Sequence, residues 1–396
     1  MTAIVDNRPP VWLLVGTGML CTLVTVVFAR LAYGLILPAM REDLGLSYPQ
    51  AANLGTVTAM GYLVLVMAAG MIAARFGARL TILSGLALAI ASFVGLALST
   101  SYTLLLLLMV MLGFATAFAY TPLISLLGAW YPEKRGAVIG MANSGVGLGM
   151  LFSGLVVPLI MSRFPITGWR YTWGLFAVLG ALTLLLAWFS LRNPPALERN
   201  TDQAGRKDKG VYRNPHVIVM GLIYGLVGLT YIVQSIFMVS FALESSLSTE
   251  FAGSLVALMG LLSVFAGPAW GWAADRMGHA RALLICSSLS AIGTLLPVLW
   301  PDALGFGLHY FLLGISVTGL FTSILAASTT TVMPQHAAVA VSFVTLFFAI
   351  GQLAGPAAAG LLIASTGGFR TTFILSSWLM VASMGLCWLS GYTVRK

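Results

Sequence analysis

Apolar residues run along this chain in blocks of about twenty or more, broken by short polar or glycine- and proline-bearing turns. Twelve blocks can be laid out, at roughly 11–39, 50–74, 80–99, 102–129, 136–162, 170–191, 215–243, 249–274, 281–300, 303–332, 337–365 and 370–392. A hydrocarbon core of about 30 Å takes roughly 20 apolar residues per helical crossing. Strands of a membrane barrel would run about ten residues with strict alternation, and these blocks are longer and evenly apolar. The pattern predicts an all-α membrane protein with twelve transmembrane helices. The breaks carry turn or charge signals, among them "REDLGLSYP", "ARFGARL", "WYPEKRG" and "DRMGHAR". The first block is too long for a cleavable signal peptide and no A-x-A-like site follows it, so it is expected to stay as helix 1.

Composition agrees with that reading. Of 396 residues, 59% are hydrophobic and only 8% charged, too little charge to cover a soluble protein of this length. Charge then sets an expected orientation. With both termini in the cytoplasm, all of the twenty basic residues fall on the inner side except Arg30 and the outer Arg41, Arg163, Arg170 and Arg370. The net charge of +9 then faces the anionic inner leaflet, and no nucleic acid is needed to explain it. Cys21, Cys286 and Cys387 lie far apart within predicted helices, with no spacing for a disulfide or a metal. No cofactor is expected, and the chain is read as a monomer in the lipid bilayer.

The blocks form a doubled unit. The longest polar stretch, "RNPPALERNTDQAGRKDKGVYRNP", reads as a cytoplasmic linker, which divides the chain into six-helix bundles at 1–191 and 215–396 joined by 192–214. "GMIAARFGAR" begins at Gly70 and "GWAADRMGHAR" at Gly271, 201 positions later, and Gly113 with Gly314 and Gly154 with Gly355 share that offset. Duplication of this kind is frequent in secondary transporters, whose substrate site lies between the repeats near the midplane.

These features resemble the major facilitator superfamily over the whole chain. The most specific motif is the loop between helices 2 and 3, approximately G-x-x-x-D-R-x-G-R-[RK]. The second half matches it with Gly271, Asp275, Arg276, Gly278 and Arg281; the first has Gly70, Arg75, Gly77 and Arg79, with Ala74 in place of the acid. The resemblance implies that this loop helps latch the halves together on the cytoplasmic side in the outward-open state. It also implies that helices 1, 4, 7 and 10 line a central cavity. The "FARLAYGLILP" segment looks like that of a bacterial branch with an arginine-aromatic motif in helix 1, which places the chain in a bacterial inner membrane.

One charge interrupts helix 1. An arginine at a helix centre costs roughly 2.5–3.5 kcal/mol on insertion scales. Arg30 stands eight residues before Pro38, about 12 Å along the helix, a marginal distance for reaching the outer interface. It either stretches there, bonds carbonyls of a broken helix, or faces a wet central cavity; the last reading makes it a ligand. Tyr33, three residues on, is expected on the same face. The repeat offset pairs Arg30 with Tyr231, Tyr33 with Gln234, and Tyr120 with Phe321, and Asn143 in helix 5 adds an amide. A guanidinium holds a carboxylate, sulfonate or phosphate bidentately, and a single one suits a monoanion.

All eleven acidic residues fall in predicted loops or at helix ends. That disfavours a multidrug cation exporter, as does the missing Gly-Pro after Gly154 in helix 5. Organic-anion and monocarboxylate carriers are the nearer resemblance, although Gly267 stands where monocarboxylate carriers place an arginine in helix 8. Moving one charge across 100 mV is worth about 2.3 kcal/mol, so anion uptake into a negative interior needs a co-transported proton or a counter-anion. His309, near the outer end of helix 10, is the residue that could take such a proton. The expectation is a secondary transporter of a small organic anion working by alternating access, through anion exchange or proton coupling. The alternatives are a proton-coupled exporter of hydrophobic or drug-like compounds and a transporter-like sensor. An enzyme is not expected, since the four histidines are scattered and no H-E-x-x-H or G-x-S-x-G occurs.

Overall fold

Local signals start and stop the helices at matching places in the two halves. The chain leaves its first crossing through Gly45, at φ +61°, and enters the next at Ser47. The Ser47 hydroxyl accepts the Gln50 amide at 3.3 Å while Gln50 Oε1 accepts the Ser47 amide at 2.9 Å, a capping box. At 201 positions further on, Ser246 has φ +65° and the Ser248 hydroxyl accepts the Phe251 amide at 3.1 Å. The same turn is therefore built twice, with glycine in one copy and serine in the other.

The computed structural model describes residues 10–131, 135–193, 211–328, 331 and 337–393. Within these the secondary structure is helical. Helix α1 has three consecutive pieces: Val11–Thr22, a π-helical stretch Leu23–Leu31, and Tyr33–Asp43. There follow α2 (Tyr48–Phe76), α3 (Ala78–Leu98), α4 (Tyr102–Trp130), α5 (Arg135–Arg163) and α6 (Gly168–Ser190). The second set is α7 (Pro215–Glu244), α8 (Thr249–Met277), α9 (His279–Leu299), α10 (Ala303–Ser328), α11 (Ala337–Thr366) and α12 (Arg370–Thr393), with a short 3₁₀ turn at Val211–Arg213 before it. Among the described residues eleven helices are long and apolar enough to cross a membrane; α2, 29 residues long, packs among them as the twelfth crossing. Most of the expected linker lies outside the described residues.

Packing inside each half repeats as well. Arg170, at the start of α6, donates to the carbonyls of Ala97 at 3.1 Å and Ser99 at 2.9 Å; Arg370, at the start of α12, donates to Val298 at 2.9 Å. Gly113 lets α4 press onto the carbonyl of Thr58 in α2, and Gly314 lets α10 press onto Met259 in α8. Gly77 and Gly278 make the same turn, at φ +91° and +90°. That backbone region excludes side chains at about 1–3 kcal/mol. Their surroundings differ: a Cβ at Gly77 would overlap the Asn193 side chain, and one at Gly278 would meet nothing within 4 Å. Gly77→Ala is therefore expected to lower the thermal unfolding temperature more than Gly278→Ala. Equal losses would mean that Asn193 moves aside freely.

The halves meet along three seams. Small residues bring α5 and α8 together, with Gly147 against Gly260 and Gly154 against Gly253. On the opposite side α2 packs on α11, where Gly360 abuts Ala52. The third seam closes only one end of the molecule, the end away from the Gly77 and Gly278 turns. There the outer piece of α1 lies on α7, with Gly34 directly against the carbonyl of Ser235. Tyr48 completes this closure, its ring 5.2 Å from Phe369 and 6.5 Å from Phe237, with the Arg41 guanidinium 4.3 Å over it. At the arginine-rich end α4 and α10 form no comparable seam among the described residues. Among the described residues, then, α1 and α7 join the halves at the far end, and α4 and α10 do not join them at the arginine-rich end.

Candidate functional site at the interface of the two halves

The π-helical stretch positions the charge in α1. Ala32 bonds the carbonyl of Val27, five residues back, at 2.8 Å. Such wide turns gather at functional sites because they re-aim side chains without breaking the helix. The hydroxyl of Thr116 in α4 braces the stretch by donating to the Thr25 carbonyl at 2.6 Å. Arg30 lies at the end of it, half-buried, and reaches across the interface. Its Nη2 donates to Oε1 of Gln352 in α11, and its Cζ lies 5.1 Å over the ring of Tyr62 in α2. Tyr231 in α7 is also within electrostatic range of the guanidinium. An amide and a ring face compensate this cation only in part, since no carboxylate meets it among the described residues.

An aromatic wall belongs to the second half. Phe321 in α10 packs edge-on against Tyr231 at 5.4 Å, Tyr224 at 5.9 Å and Phe348 at 5.5 Å, and Phe348 stacks on Tyr224 at 4.4 Å. Opposite it, Tyr120 donates its hydroxyl to Asn143 Oδ1 at 2.9 Å, which ties α4 to α5. Tyr120 and Tyr62 lie within electrostatic range of Tyr224, so phenols from both halves converge.

Through these pairwise contacts Arg30, Tyr120, Asn143, Tyr231 and Phe321 gather in one region at the interface of the halves, the central chamber. Tyr33 lines a small pocket with Arg30, alongside Gly55, Thr58 and Ile236. Its side chain is buried among α1, α2 and α7 and its hydroxyl donates to the Ala51 carbonyl at 2.9 Å. Between Arg30 and Tyr33 the π-stretch ends and regular α-helix resumes. Gln234 lines a small cavity that also holds His309. Sequence reasoning passed over Tyr62, Tyr224, Phe348 and Gln352. Gln352 had a signal, as an amide in mid-span of an apolar block; the three aromatics had none that separates them from ordinary packing.

The signature turns sit at the arginine-rich end. Arg79 is held within its own half: its Nη2 donates to the Trp188 carbonyl at 2.7 Å, its amide to Asn193 Oδ1 at 2.8 Å, and its guanidinium lies 5.1 Å over Trp188. Arg75 lies 5.3 Å over Phe76 and Arg276 4.1 Å over Trp272, while Arg281 is exposed on α9. Gly70 and Gly271 lie in α2 and α8; the side chain of Asp275 is outside what the structure describes. Among the described residues Arg75, Arg79 and Arg276 meet partners within their own halves.

Comparison with known proteins matches this geometry. Human monocarboxylate transporter 11 is 27% identical over 399 residues, covering 93% of this chain and 81% of that one. Monocarboxylate transporter 12-B of Danio rerio is 24% identical, covering 73% and 69%. Among solved structures, a mutant of the nucleoside transporter NupG superposes with a TM-score of 0.82 at 12% identity, over 96% of this chain and 99% of that one. An inward-facing, unoccupied bacterial homologue of the human lysosomal transporter Spinster gives 0.77 at 18% identity, over 96% and 97%. The profile that matches residues 22–387 is described as the uncharacterised MFS-type transporter YbfB, and by that match the chain belongs to this family of multi-pass major facilitator transporters.

Proposed function

We propose that the protein carries a small, monocarboxylate-like organic anion across the cell membrane by alternating access, with both termini in the cytoplasm. The observation that carries the proposal is Arg30, a permanent cation held at the interface of the halves and compensated, among the described residues, by an amide and a ring face rather than a carboxylate. An anion in the chamber would complete its coordination, and the aromatic wall would receive the apolar remainder of the molecule. The names of the monocarboxylate transporters among its relatives support the same cargo class. On this orientation the arginine-rich end faces the cytoplasm.

The test is ligand-induced stabilisation, since a ligand that binds the folded state raises its unfolding temperature. Acetate, pyruvate, benzoate and methanesulfonate would be compared with their neutral amides on the parent and on Arg30→Gln. The expected result is that at least one monoanion stabilises the parent, its amide does not, and the variant does not respond. Equal responses of both proteins would overturn the proposal.

A further inference from the structure

Beside the chamber, α7 and α10 enclose a cavity of about 40 Å³. Its polar lining is Tyr231, Gln234, Ser235, His309 and Tyr310, and the rest is apolar. A water needs roughly 10–15 Å³ of such space, so there is room for one or two. His309 is 1% exposed, and its Nδ1 lies 2.8 Å from the carbonyl oxygen of Gly293 in α9. A carbonyl only accepts, so Nδ1 carries the hydrogen and Nε2 of the neutral ring carries a lone pair. The ring stands edge-on to Tyr310 at 4.9 Å. Gln234 is 7% exposed, and its Oε1 is buried with no hydrogen-bond partner among the described residues. Two acceptors thus line one small cavity.

One proton would satisfy both. We propose that His309 and Gln234 form a proton-binding site in which protonated Nε2 donates, directly or through one water, to Gln234 Oε1. The proton comes from hydronium when the cavity opens to one face of the membrane, and returns to water when it opens to the other. The imidazole gains one positive charge and loses it again. Among the described residues no carboxylate, lysine or arginine lines the cavity. The titratable groups facing the imidazole are Tyr310 on its own helix and Tyr231 on α7; α1, α5 and α8 contribute apolar side chains, and α9 contributes the Gly293 carbonyl. Tyr231 is shared with the chamber, where it lies near Arg30, so the two sites touch through one side chain. A proton here and a monoanion at Arg30 would cross together without net charge. That coupling rests on the reading of Arg30 above; the proton site does not.

The experiment is nuclear magnetic resonance of the full chain in lipid nanodiscs with ¹⁵N-labelled histidine rings. The His309 resonances are those missing from His309→Gln, or, should that variant not fold, those in contact with the Tyr310 ring. The expected result is the Nδ1–H tautomer near neutral pH, a single protonation step at lower pH, and a midpoint about one unit lower in Gln234→Leu, a tenfold loss of proton affinity. A merely structural glutamine would leave that midpoint where it is. An Nε2–H tautomer, no protonation down to pH 4, or an unchanged midpoint in Gln234→Leu would each overturn the proposal. Adding a stabilising monoanion is expected to raise the midpoint in the parent. If His309 titrates but no acid moves it, the proton site stands and its coupling to Arg30 falls; if His309 is silent, the site falls whatever Arg30 binds.

Discussion

Gly34→Ala is expected to open the far end of the molecule, close the arginine-rich end and reduce turnover by more than tenfold. A Cβ at Gly34 would overlap the backbone carbonyl of Ser235, and a backbone atom in a packed helix cannot swing aside as a side-chain tip can. Overpacking of this kind costs about 1–3 kcal/mol. Here the cost falls on one conformation, because α1 and α7 touch only where the far end is shut. A few kcal/mol separate the states of a two-state protein, and 1–3 kcal/mol is a shift of roughly 5–150-fold in their ratio. Spin labels read both ends. One pair would sit at the exposed positions Glu42 and Glu250, the other at the exposed Phe76 and Met277. Cys21, Cys286 and Cys387 are buried and do not compete for label. The expected result is a longer distance for the first pair and a shorter one for the second. If both distances stay as in the parent, this seam is not what holds the state.

The same glycine shows what the sequence could and could not reveal. Helix positions were legible because lipid imposes one rule on every crossing, about twenty apolar residues with no exposed backbone. The turns at Gly77 and Gly278 were legible because their 201-residue offset marks them as one structure used twice, and both indeed have φ near +90°. Arg30 stood out because a cation is costly inside a membrane helix. Its partners did not. Gln352 and Tyr62 lie on α11 and α2, and the repeat offset links neither of them to Arg30; only the packing of two halves brings them together. Tyr33 lines a small pocket with Arg30, while its hydroxyl is taken up by the Ala51 carbonyl. The i, i+3 rule presumes 3.6 residues per turn, and nothing in "VTVVFARLAY" announces the wide turns of the π-helical stretch.

The arrangement of Arg30 and Gln352 also predicts a rescue. Arg30→Gln removes a charged hydrogen-bond donor from the proposed anion site, a loss of about 1.5–3 kcal/mol, or roughly 10–150-fold in affinity. Because Nη2 of Arg30 meets Oε1 of Gln352 across the interface, the pair can be exchanged between the halves. The double variant Arg30→Gln with Gln352→Arg keeps one guanidinium and one amide in contact and keeps Tyr62 beside them. It is expected to recover at least tenfold of the lost affinity, measured by titration with the monoanion that stabilises the parent. Gln352→Arg alone would place two cations face to face and is expected to favour a dianion over a monoanion, since like charges need a shared counter-charge. Binding in the exchanged variant as weak as in Arg30→Gln would mean that charge in the chamber is not enough. The guanidinium would then have to stand on α1, where the π-helical stretch aims it, and those wide turns would be part of the recognition itself.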